Sequence, residues 1–188
     1  MLKLKEKVER NTKIFLKKNE EYKIFTKELL DFLGDSLFVA PATHSTHLYN
    51  AFPGGLVDHI LKVSKYAIQI NSMLPEHIRI DVFSLLKICM IHQIGKVNRF
   101  KITNEDYKNI KGVMYDINEQ FNKISVGERS VYYSITNGVK LNEIEYSTII
   151  NFEKEFTNNV YEIILRQANE LAILEEKEEY NYGTGTKW

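Results

Sequence analysis

Residues 81–93, "DVFSLLKICMIHQ", constrain the fold more than any other stretch of the chain. The segment is apolar on nearly all faces, which suits a helix packed on several sides and not one lying on a surface. A central helix needs a shell of amphipathic neighbours, and the sequence supplies candidates on both sides. Leu56, Ile60, Val63, Ala67 and Ile70 step by four and three after Gly55, one stripe of an amphipathic helix. Ile24, Phe25, Leu29, Phe32 and Leu33 repeat with helical spacing in residues 21–33, and Gly34 suits a stop. Residues 2–18 carry Leu4, Val8, Ile14 and Phe15 among many charges, a weaker amphipathic helix. Helical patterns return over 127–137, 141–153 and 158–177.

Between Asn98 and Lys123 the chain is polar and irregular, which accommodates a small β-hairpin around residues 100–123 or a flexible cover. The fold expected is all-α, with 188 residues in one domain: N-terminal helices over 1–36, a body over 37–175, and a glycine-containing tail, "YNYGTGTKW", over 180–188.

Composition narrows the function classes. Lys+Arg and Asp+Glu number 25 each, so no global basic field argues for nucleic acid. The single cysteine, Cys89, lies inside the apolar run and reads as a buried structural thiol. One cysteine cannot staple the chain, and nothing requires an oxidising compartment. The charged N-terminus lacks the apolar stretch of a signal peptide, and no run approaches a membrane span of roughly 20 apolar residues. The location expected is cytoplasmic.

Two histidines carry the chemistry. His59 lies on the helix after "FPGG", and His92 ends the central helix, followed by Gln93. Neutral imidazoles suit divalent transition metals, but two of them leave a site short of ligands and of negative charge. On position alone, each reads as a packed or hydrogen-bonded helix residue rather than a ligand.

"HLYNAFPGGLVDHILKV", followed some thirty residues later by "LLKICMIHQIGKV", resembles the HD-domain superfamily of metal-dependent phosphohydrolases. "GERSVYYSITNGVKLNEIEYSTII" and "RQANELA" resemble later segments of that family in the same order, so the likeness spans roughly residues 37 to 175. It implies an HD-like helical bundle in which His59 and His92 match the family's metal-binding histidines. Gln93 and Asn169 stand where the family has metal-binding aspartates, and Val126 and Phe152 stand where some members have histidines for a second metal. Lys96 holds the position of a phosphate-reaching lysine, and His47 is kept in the approach loop. Compact members occur in bacteria and phages, and the Lys-, Asn- and Ile-rich composition suits an AT-rich phage genome, with the host cytoplasm as the location implied.

The two amides keep oxygens for hydrogen bonding but bring no charge to a hard cation. Activating water at neutral pH depends on a tightly held Lewis-acidic ion. The expectation is therefore an HD-like protein with a degraded metal site, non-catalytic, binding a nucleotide or other phosphate-bearing ligand or a protein partner. His47, Lys96, Arg129, Gln93 and Asn169 are the candidate ligand-binding residues, with Arg99 as a further anion donor. The alternative is an active phosphohydrolase on nucleotides or nucleic-acid ends, using Mn, Mg, Fe, Co or Ni at an atypical site. Asp106, Asp116 and Glu128 are the carboxylates that would rebuild such a site, whereas Asp58 is expected to be an ordinary helix residue, and "LEEKEEY" an exposed helix end.

Overall fold

The computed structural model describes residues 2–121, 123–154 and 159–181. It is mostly helical with one small two-stranded sheet, as the periodicity predicts. The apolar run forms α4 (Val82–Ile91), with Asp81 capping it by accepting from the Ser84 N–H at 3.0 Å. Leu85, Leu86, Ile88, Cys89, Met90 and Ile91 are all buried in the core. Burial pushes the Cys89 thiol far above its ordinary pKa, which leaves it inert.

The shell is built as amphipathic spacing requires. The helix α3 (Gly55–Met73) turns Leu56, Ile60, Val63 and Ala67 inward against α4. Its other flank packs on α8 (Val160–Asn181), the most extensive helix pair of the fold. Two glycines start α3: Gly54 is left-handed at φ 85°, and a Cβ on Gly55 would lie 2.1 Å from the Asn50 carbonyl oxygen. The glycine pair thus lets the approach loop cross directly over the first turn.

α1 (Leu2–Tyr22) lies on α3, with Phe15 fully buried and edge-on to Phe25 at 5.3 Å. It ends at Lys23, whose φ is 49°. α2 (Lys27–Val39) corrects the expected stop at Gly34: the backbone kinks there, at φ 51°, and the helix resumes as far as Val39. Leu37 in that extension is fully buried, so tertiary packing carries the helix past the glycine.

β1 (Phe100–Ile102) and β2 (Tyr115–Ile117) pair antiparallel, with Lys101 opposite Asp116. A short helix, α5 (Asp106–Ile110), joins them. α6 (Val126–Thr136) and α7 (Glu143–Asn151) each begin with a capping box, Ser125 with Glu128 and Asn142 with Glu145. The last helix reaches Asn181, beyond the expected end at 177, so residues 180 and 181 belong to it. The remainder of the expected tail, 182–188, lies outside the described residues. No helix of the described residues is long and apolar enough to cross a membrane.

Candidate functional site

α3, the end of α4 and α8 bring His59, His92, Gln93 and Asn169 together around one buried polar cluster. The two imidazole rings are 6.3 Å apart by centroid, and both side chains are fully buried.

The hydrogen bonds of the cluster fix their own direction. Lys96 Nζ donates to Gln93 Oε1 at 2.7 Å, and an ammonium group can only donate. The Gln93 amide is therefore turned so that its Nε2 donates to Asn169 Oδ1 at 3.1 Å. The same Asn169 oxygen lies 3.0 Å from His59 Nε2, so that ring nitrogen is a donor too. On the other side of the ring, His59 Nδ1 lies 3.1 and 3.0 Å from the two carboxylate oxygens of Glu176. Both nitrogens of His59 thus face oxygens. Two proton placements satisfy this geometry, an imidazolium beside a carboxylate or an imidazole beside a carboxylic acid. Either one holds one proton more than a neutral imidazole with an ionised glutamate.

His92 is arranged differently. Its Nδ1–H donates to the Cys89 carbonyl at 2.7 Å, and its Nε2 is buried with no hydrogen-bond partner. Burial pushes its pKa down to about 3, and the neighbouring His59 lowers it further. Phe152 closes over it edge-on at 5.1 Å. The place where the family resemblance puts a second-metal histidine is thus filled by an apolar cover. Val126, the other such place, is a buried residue opening α6.

An open cleft of about 320 Å³ lies outside the cluster, with Gln93 and Asn169 among its lining residues. Lys154, Arg166, Glu153 and Glu170 surround it, together with Tyr49 and Phe152. The four charged groups cancel in sign. Lys96 stands behind Gln93, only 8% exposed, and its Nζ also reaches Tyr49 OH at 3.1 Å. No carboxylate of the described residues pairs with it, and it lines a separate cavity of about 200 Å³ with Pro41, Phe100 and Tyr115.

The remaining candidates lie elsewhere. His47 is exposed on its loop and hydrogen-bonded to the Lys111 carbonyl at 2.8 Å. Arg129 is buried on α6, its guanidinium 4.9 Å from the Phe121 ring centroid. Glu128 is exposed and engaged in its capping box, which holds its carboxyl below the usual range. Asp116 pairs with Lys108 at 2.9 Å, and Asp106 is exposed on α5. None of the three carboxylates enters the histidine cluster through a described contact.

Two expectations need correction. Asp58 is no ordinary helix residue: it is buried and accepts from Asn11 at 2.7 Å and Asn50 at 2.9 Å, with Lys7 at 2.9 Å. It ties α1 and the approach loop to α3. "LEEKEEY" is not wholly an exposed helix end either, since Glu176 within it is 2% exposed. The sequence did carry a signal for this glutamate. Asn169 and Glu176 are seven residues apart on one helix, hence on the same face.

A divalent ion does not fit these donors as they stand. Asn169 occupies His59 Nε2, the Gln93 oxygen is taken by an ammonium, and no carboxylate faces His92 Nε2. Among the described residues no group of three or more His, Cys, Asp or Glu side chains could hold a metal. Comparison with family models, with curated proteins and with solved structures found no match for this chain.

Proposed function

We propose that this chain is a non-catalytic HD-like protein that binds a phosphate-bearing ligand, nucleotides foremost, in the cleft over Gln93 and Asn169. The observation that carries the reading is the directed chain from Lys96 through Gln93 and Asn169 to His59 and Glu176. It occupies the donors a metal would need and sets a buried ammonium beside the cleft. A buried cation without a carboxylate partner favours an anion nearby. Lys154 and Arg166, the latter already donating to the Lys154 carbonyl, also line the cleft. The test is calorimetric titration with nucleoside mono-, di- and triphosphates, paired with hydrolysis assays. Binding without turnover supports the reading; metal-dependent turnover abolished in His92→Ala refutes it.

One observation favours the second reading, an active metal-dependent phosphohydrolase. His92 Nε2 is buried and makes no hydrogen bond of good geometry, with only the Asn169 side chain near it, and a metal-ligating imidazole needs that lone pair free. That reading also needs Asn169 to leave His59 and the proton on His59 Nε2 to be lost. Stoichiometric transition metal in the purified protein, absent in His59→Ala, would establish it.

A further inference from the structure

Lys96, Arg99 and Arg129 gather about one stretch of chain, the 3-10 turn at 94–96 and the residues after it. Arg99 continues that turn, its N–H donating to the Lys96 carbonyl at 2.9 Å. Arg129 packs on the same turn from α6, so closely that a Cβ on Gly95 would lie 2.9 Å from Arg129 Cβ. The backbone closes the cluster on the other side. The Arg99 carbonyl accepts from Asn118 N–H at 2.8 Å, and the Asn118 carbonyl accepts from Phe121 N–H at 2.9 Å. The Phe121 ring then lies against the Arg129 guanidinium.

Arg129 is only 5% exposed, and its Nη1 is buried with no acceptor. No carboxylate of the described residues forms an ion pair with Arg129 or with Arg99. Burial lowers the pKa of Arg129, and the like charge of Arg99 lowers it further, so the pair gains from a counter-anion. A guanidinium presents its donors in a planar fork that matches a phosphate edge, and Arg99 on the adjoining turn adds a second cation near it.

We propose that Arg129 and Arg99 form an oxyanion site for a phosphate or phosphomonoester group, distinct from the cleft over Gln93 and Asn169. The proposal rests on the reading that the chain binds a phosphate-bearing ligand, and it names a second set of donors for it. Phe121 covers the buried guanidinium, and Arg99 on the adjoining turn is half-buried.

The test is titration of the full chain with inorganic phosphate, by calorimetry and by 31P NMR, at constant ionic strength. Arg99→Gln and Arg129→Gln are compared with the cleft variant Arg166→Gln, each checked for helicity by circular dichroism. Loss of about tenfold or more at one of two phosphate sites is expected in Arg99→Gln and Arg129→Gln, whereas Arg166→Gln is expected to weaken the cleft site alone. Phe121→Ala, which uncovers the guanidinium, is expected to bind severalfold tighter. If Arg129→Gln fails to fold, Arg99→Gln carries the decision. Affinity lost only in Arg166→Gln overturns this site and leaves the cleft reading standing. Wild-type protein that takes no phosphate at all overturns both.

Discussion

Asn169 Oδ1 lies 3.0 Å from His59 Nε2, where a metal ion would have to stand for that histidine to act as a ligand. One amide oxygen accepts from both His59 and Gln93, so the two neutral residues in the acidic positions of the resemblance now bond to each other. The cluster is satisfied internally. Its one unmet group is the lone pair of His92.

The first prediction concerns those two amides. In Gln93→Asp/Asn169→Asp, carboxylates face both His59 and Lys96, and a divalent ion gains charged oxygen ligands beside the free His92 Nε2. Titration with Mn2+ or Co2+ should show affinity on the order of 100-fold above wild type. Binding should release protons, because His59 Nε2 must give up its hydrogen to become a ligand. Equal affinity in wild type and double variant would mean that the amides are not what excludes the metal.

Glu176 carries the second prediction. Its two oxygens face His59 Nδ1, and both side chains are buried. Glu176→Ala leaves a buried imidazole nitrogen without a partner and is expected to cost about 3–5 kcal/mol, the range for breaking a buried pair. Glu176→Gln keeps an acceptor oxygen and should cost less, about 1–3 kcal/mol. The check is urea unfolding with the slope held constant, so that the midpoint shift reports stability.

Much of the architecture was legible because burial and helical period coincide. From Leu85 to Ile91 the apolar residues of α4 are buried, as are Leu56, Ile60, Val63 and Ala67 of the α3 stripe, whereas Val82 and Phe83 at the start of α4 are exposed. The pattern misled where a residue on the stripe lies at the rim: Phe32 shares the spacing of Leu29 and Leu33 yet is 55% exposed, packed edge-on against Tyr133. Gly34 misled for a different reason, since propensity argues for a stop and the buried Leu37 overrides it. At the site, the positions of His59, His92, Gln93 and Asn169 were visible in order along the chain. Glu176 was masked by Glu175, Glu178 and Glu179: its seven-residue spacing from Asn169 puts the two on one face, and packing of α8 on α3 is what buries that face. Tyr49 and the direction of the Lys96 ammonium depend on how the approach loop crosses the helices, which no local period encodes.

Acid sensitivity is the third prediction. His92 has a folded pKa of about 3, below the ordinary histidine value of about 6.5 in an unfolded chain. Between those values the unfolded chain takes up a proton that the folded chain does not. This contribution to stability is therefore complete above about pH 6.5 and is lost as pH falls toward 3. The slope of unfolding free energy against pH over that window should be shallower in His92→Asn than in wild type. Identical slopes would show that His92 is protonated as readily in the folded protein as in the unfolded one.

The last prediction concerns the turn that carries Lys96. A Cβ on Gly95 would lie 2.3 Å from the Val126 carbonyl oxygen and 2.9 Å from both Arg129 Cβ and the Ser130 nitrogen. Two of these atoms are backbone, so α6 itself must move away. The Gly95 N–H also donates to Ser130 Oγ at 2.9 Å, and that hydroxyl lies 3.0 Å from the His92 carbonyl. Gly95→Ala therefore pries α6 from the end of α4 and is expected to cost about 1–3 kcal/mol, the range for overpacking a close contact. Because His92 and Gln93 precede this turn directly, the displacement should reach the histidine cluster. The imidazole resonances of both His59 and His92 should shift in Gly95→Ala. Unchanged imidazole resonances in a destabilised Gly95→Ala would mean that the cluster is held by α3 and α8 alone.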